Sequence, residues 1–122
     1  MVMPGPSIFV PIRQKGCELS ETWIRVANAG DIAEGEAIPV EIAGLQLAVY
    51  RVNGQWYCTD NICTHAHALL TDGWLEGCLI ECPLHNGQFD IRNGEGQGDP
   101  ITENLKTYKV RVDHDEVLIA VP

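Results

Sequence analysis

The stretch "CTHAHALLTDGWLEGCLIECPLH", residues 63 to 85, decides the reading of this chain. It holds three of the five cysteines and three of the four histidines, two of each in the clusters Cys63-Thr64-His65 and Cys82-Pro83-Leu84-His85, which have sixteen residues between them. Each short cluster offers one thiolate and one imidazole, the donors that soft and borderline metals take. Structural zinc sites usually draw two cysteines from one turn and two histidines from another, because each pair comes from one hairpin or helix. Here the types alternate. A two-iron cluster whose irons carry different ligands accounts for the alternation: two loops clamp it from either side, each giving a thiolate to one iron and an imidazole to the other. A zinc-stabilised binding module with no redox role is the competing reading.

Outward from this stretch the pattern is β. "WIRVA", "AIPVEI" and "LQLAVYRV" are rich in β-branched or aromatic residues and partly alternate. Asn53-Gly54 stands between "AVYRV" and "QWYCT", and such a pair suits a type I′ turn, so Leu45 to Thr59 reads as a hairpin. "TYKVRV" and "VLIAV" around "DHDE" read as a second. Between them, Asn61 to about Pro100 is rich in Gly, Asp, Asn and Pro and carries both clusters, which gives it the character of an insertion on a small sheet. Only "DIAEGEA" and "TENLKTY" could supply a helical turn, each too short for a stable helix. Residues 1 to 20, with Pro4, Pro6 and Pro11, read as an N-terminal extension.

The totals narrow the class. At 122 residues, 45% hydrophobic and 20% charged, the chain fits one globular domain. A net charge of -9 argues against nucleic acid, whose phosphates call for clustered Lys and Arg, and points to basic partners. "SIFVPI" is too short for a secretory segment and no run approaches a membrane span, so a cytoplasmic protein is expected. An odd number of cysteines cannot all pair in disulfides, which favours a reducing compartment and metal ligation.

The two clusters with their spacer resemble the Rieske family. Leu70 and Gly73 fall where that family has Leu and Gly after its first loop, "GQFDIRNGEG" resembles the segment after the second, and Gly98-Asp99-Pro100 resembles the proline loop that covers the cluster. The resemblance spans about residues 22 to 121. It implies one 2Fe-2S cluster per chain, with Cys63 and Cys82 on one iron and His65 and His85 on the other. It also implies an all-β fold, an antiparallel β base domain with an inserted rubredoxin-like cluster-binding subdomain. The expected organisation is an extension at 1–20 and a Rieske domain at 21–122, its subdomain at about 61–100.

Departures from the pattern select a subgroup. Family members of cytochrome bc complexes carry an extra cysteine in each loop, and the two form a bracing disulfide; Ala68 and Leu84 stand at those places here. The same subgroup has a Ser and a Tyr whose hydroxyls bond the cluster and its cysteine, where this chain has Gly87 and Phe89. What remains resembles the ferredoxins of bacterial multicomponent aromatic-ring dioxygenases, the naphthalene type in particular. That implies a monomeric one-electron carrier between an NAD(P)H-dependent flavoprotein ferredoxin reductase and a terminal oxygenase, with no catalysis by the chain itself.

An oxygen-activating subunit would need a mononuclear iron site, which "HDE" at 114 to 116 cannot supply alone. A self-contained reductase would need a glycine-rich dinucleotide fingerprint, which is absent from the sequence. The alternative is a Rieske-type small subunit of a larger enzyme, such as an assimilatory nitrite reductase. His67 reads as an exposed loop histidine or a docking aid, Trp74 and Leu69 share that ambiguity with core packing as the default, and Cys17, Cys58 and Cys78 are assigned no chemistry.

Overall fold

The computed structural model describes residues 22–64, 68–84, 87–97 and 103–121. The N-terminal extension, with Cys17, lies outside the described residues, as do His65, His67, His85 and Gly98-Asp99-Pro100.

All described sheets are antiparallel, and the helical content is two 3₁₀ turns, Ala29–Asp31 and Leu70–Asp72. One sheet runs β1 (Thr22–Asn28), β10 (Glu116–Val121), β9 (Val110–Asp113). A second runs β2 (Glu36–Ile42), β3 (Leu45–Val52), β4 (Gln55–Asp60), β8 (Thr107–Tyr108). The third, β5 (Trp74–Glu76), β6 (Leu79–Glu81), β7 (Gln88–Asp90), lies in sequence between β4 and β8. This is the expected all-β architecture.

Both predicted hairpins form. Asn53 and Gly54 take φ of 54° and 74°, and His114 and Asp115 take 51° and 64°, the double left-handed geometry whose twist matches that of the flanking strands. "TYKVRV" is not one strand, however. Thr107–Tyr108 pair with β4, the chain breaks at Lys109, and Val110–Asp113 pair with β10. The segment hands the chain from one sheet to the other. Neither proposed helical segment becomes one: Ala29–Asp31 barely overlaps "DIAEGEA", and Thr107–Tyr108 of "TENLKTY" are strand.

Strand β3 explains why "LQLAVYRV" alternates so weakly. Leu47 and Val49 join Ala27, Ile32, Cys58, Val117, Ile119 and Val121 in a core between the first two sheets. Ala48, Tyr50 and Val52, on the opposite face, join a second core with Cys63, Leu70, Ile80, Cys82, Phe89, Ile91 and Leu105. A strand buried on both faces reads as a continuous apolar run. The base sandwich therefore owns one core and shares the other with the inserted segment, whose Cys63 and Cys82 belong to the shared one while Cys78 packs against it. Cys58 is sunk in the first core, where burial, followed by the nearby Asp60 charge, pushes its thiol up to about 12.

Candidate metal centre

The two cysteine clusters are closed by the same backbone contact. The N–H of Cys63 donates to the carbonyl of Ala68 at 2.9 Å, and the N–H of Cys82 donates to the carbonyl of Gly87 at 2.7 Å. Each cysteine thus opens a six-residue connection, and each connection is flanked by a cross-strand pair, Ile62 with Leu69 and Glu81 with Gln88. His65 stands third in the first connection and His85 fourth in the second. Both thiols are buried in the apolar core shared with the base.

Three features hold the connections in relation to each other. Asn61 is wholly buried at the end of β4. Its N–H donates to Gln46, its carbonyl accepts from Leu70, its Oδ1 accepts from the N–H of Thr71 at 2.9 Å, and its Nδ2 donates to Thr71 Oγ1 at 3.0 Å. A buried amide with its groups satisfied in this way fixes one geometry, since leaving any of them unpaired is costly. Gly73 then lets the chain returning from the first connection lie against the carbonyl of Glu81, immediately before Cys82. Thr64, between Cys63 and His65, donates from Oγ1 to the carbonyl of Glu103 at 2.9 Å, tying the first connection to the chain that leads back to β8.

Beyond β7 the turn is held by charge. Arg92 approaches Asp90 through Nε at 3.0 Å and Nη2 at 2.8 Å, a bidentate pair, and its N–H also donates to Oδ1. The Arg92 side chain holds the Asp90 carboxyl below its ordinary range, against the opposing effect of burial, and Asp90 raises Arg92 in turn. Deeper in the shared core, Tyr50 and Thr59 share a hydroxyl hydrogen bond of 2.9 Å, and burial raises the Tyr50 phenol well above its usual value.

Of the sequence-predicted ligands, the structure brings Cys63 and Cys82 into one buried core; His65 and His85 lie outside the described residues. Among the described residues no group of three or more His, Cys, Asp and Glu side chains is arranged to hold a metal. Two buried thiols in an apolar setting, on connections of matching closure, fit a soft-metal or iron-sulfur centre.

Sequence reasoning missed Asn61, Thr64 and Thr71, because nothing in a sequence separates a buried, bonded Asn from an exposed loop Asn. The default reading of Trp74 as core packing fails: the indole is 60% exposed, since its position on β5 alternates with inward-facing Leu75. Leu69 is exposed as well, with Ile62 and Leu84. Cys58 and Cys78 stand outside any disulfide, Cys58 buried and Cys78 half-buried.

The Rieske [2Fe-2S] domain model matches residues 22–109. The chain is 46% identical over 97 residues to the ferredoxin component of a naphthalene 1,2-dioxygenase system of Pseudomonas putida, covering 80% of this chain and 93% of the relative. Among solved structures it is similar to the ferredoxin of Sphingomonas yanoikuyae B1, with a TM-score of 0.78, 39% identity and coverage of 83% and 100%. It is also similar to a chain in the complex of reduced oxygenase and oxidized ferredoxin of carbazole 1,9a-dioxygenase, with a TM-score of 0.77, 40% identity and coverage of 80% and 92%. A putative NADH-dependent nitrite reductase small subunit from Mycobacterium tuberculosis shares the fold alone, with a TM-score of 0.76 at 18% identity, over 84% of this chain and 97% of that one.

Proposed function

This chain belongs to the Rieske [2Fe-2S] domain family, and from that premise we propose that it is a one-electron carrier of an aromatic-ring-hydroxylating oxygenase system. It takes electrons from an NAD(P)H-dependent flavoprotein reductase and delivers them to a terminal oxygenase, working as a cytoplasmic monomer and catalysing no reaction of its own. Residues 1–20 stand outside its Rieske domain of 21–122, whose cluster-binding subdomain covers about 61–100. The observation that carries the reading is the matched closure of two connections that each begin with a buried cysteine of one core.

Cys63 and Cys82 are the thiolate ligands of one iron and His65 and His85 the imidazole ligands of the other. When bound, the 2Fe-2S group supplies reversible exchange of a single electron at a fixed place. The chain's own residues do the rest. Ala48, Tyr50, Leu70, Ile80, Phe89, Ile91 and Leu105 pack the core to which both cysteines belong, keeping water from the thiolate side. The Asn61 and Gly73 contacts hold the two connections at one separation, so little need move when the charge changes. A carrier of this kind gains from such rigidity.

The test joins spectroscopy to reconstitution. The purified protein should be red-brown, with the rhombic EPR signal of a Rieske centre on reduction; His65→Ala and His85→Ala should each abolish or radically alter it, because the outer iron loses half its protein ligands. A colourless zinc protein, or wild-type spectra in both variants, sinks the ligand assignment. Turnover of an aromatic substrate by reductase and oxygenase should depend on added carrier.

A further inference from the structure

Strand pairing sorts the inserted sheet into two faces. Leu75, Ile80 and Phe89 form one cross-strand row and turn inward to the shared core. Of the rows on either side, Trp74–Glu81–Gln88 runs from exposed Trp74 to half-buried Glu81 and Gln88, and Glu76–Leu79–Asp90 from exposed Glu76 to buried Asp90. Trp74 and Glu76 on edge strand β5 are exposed, and Glu81 is half-exposed beside the Trp74 position. This outer face abuts the second connection, since Glu81 precedes Cys82 and Gln88 follows Gly87.

Trp74 is the odd one among three tryptophans. Trp23 carries the guanidinium of Arg111 at 4.5 Å from its ring centroid, and Trp56 carries that of Arg51 at 5.1 Å. Trp74 has no such cover among the described residues, although Glu81 stands opposite it on β6 and Glu76 two residues along β5. Between residues 61 and 97 the only Lys or Arg is Arg92, and it is engaged by Asp90. Residues 61–97 therefore offer no uncommitted cation to stack on Trp74 or to neutralise Glu76 and Glu81.

We infer that this outer face, anchored by Trp74, is a docking surface for an electron-transfer partner whose contact surface presents an arginine or lysine. The inference rests on the carrier reading above. An exposed aromatic ring flanked by carboxylates attracts a guanidinium both through the ring face and through charge, and a central Trp is the residue type that most often dominates an interface. A second copy of this chain is a poor occupant, because two molecules of net charge -9 would set acidic faces together. Seated on Trp74, a partner lies across the strand pair from Glu81, the residue next to Cys82.

The experiment uses the full-length, cluster-loaded protein in stopped-flow measurements of both half-reactions, with the reductase and with the oxygenase. Trp74→Ala should lower the second-order rate constant of at least one protein–protein step about tenfold, and Trp74→Phe by less. Glu76→Gln should flatten the salt dependence of the same step. The midpoint potential, EPR signal and rate with a small inorganic oxidant should stay at wild-type values. Protein–protein rates within twofold of wild type in Trp74→Ala overturn the docking surface while leaving the carrier reading intact. A wild type that exchanges electrons with neither partner overturns that reading and this inference together. A wild-type dimer dispersed by Trp74→Ala would assign the face to self-association. Acrylamide quenching of Trp74 that appears only after removal of residues 1–20 would assign it to the chain's own N-terminal segment; either result overturns the proposal.

Discussion

Gly73 and Glu81 meet so closely that a methyl group built on Gly73 would lie 1.8 Å from the Glu81 carbonyl oxygen, 3.0 Å from its carbon and 3.2 Å from Pro83 Cδ. The obstacle is backbone, which cannot swing aside as a side-chain end can. Gly73→Ala should therefore destabilise the protein by about 3 kcal/mol, the upper range for overpacking. Gly30→Ala is the control, because nothing lies within 4 Å of its built Cβ. Denaturant midpoints compare the two, and equal shifts would show that the contact is not tight.

The Asn61–Thr71 brace should be separable from ordinary packing. Asn61→Ala strands the Thr71 groups and should cost about 1–3 kcal/mol. Thr71→Val removes the hydroxyl but keeps the backbone donor to Oδ1, and should cost less. A double-mutant cycle by thermal denaturation should give a coupling of about 1 kcal/mol. Strict additivity would mean the two side chains do not act as a unit.

The redox potential should be low for a Rieske centre. Hydrogen bonds to the cluster sulfurs or a ligating thiolate favour the more negative reduced state and so raise the potential. Gly87 has no side chain to give one, and Phe89 is a wholly buried hydrocarbon in the core that contains both cysteines. The midpoint should fall in the lowest quarter of the range from about -150 to +300 mV, and Gly87→Ser and Phe89→Tyr should each move it upward. Protein-film voltammetry near neutral pH decides; a wild-type value above about +100 mV would favour a quinol-oxidising role instead.

Acid should release the Asp90–Arg92 clasp. Because the folded carboxyl lies below its unfolded value, its contribution to stability is present above the unfolded pKa, near 3.9 for Asp, and is lost as pH falls through the folded pKa. Asp90→Asn should therefore be less stable than wild type at pH 7, and the gap should close as the pH falls below about 4. Urea titrations at several pH values measure it; a gap independent of pH would mean the charge of Asp90 contributes nothing.

What the sequence made legible was whatever depends on local chemistry. The Asn53-Gly54 turn follows from two residues that tolerate positive φ, and the paired cysteines from ligand types at fixed spacing. The contacts that position the connections were not legible, because they pair distant partners: Thr64 with Glu103, Gly73 with Glu81, Asn61 with Thr71. Nor was the break at Lys109, since "TYKVRV" alternates across it and only the pairing partners change. Trp74 misled because a large aromatic in an apolar run defaults to the interior, while its place on a short edge strand turns it outward.

The N–H of Asp60 donates to the carbonyl of Lys106 at 3.0 Å, and Thr59 faces Thr107 across β4 and β8. Residues 61 to 105 thus leave and rejoin the base one hydrogen bond apart, so that in polymer terms the whole inserted sheet is a closed loop on a framework that does not thread through it. Such a segment is an exchangeable cassette. Spliced out between Asp60 and Lys106, with a short turn in its place, it would lay bare Ala48, Tyr50 and Val52 on β3, so it can be exchanged only for a segment that covers that face; conversely, its boundaries mark where the electron-transfer unit could be grafted onto another hairpin.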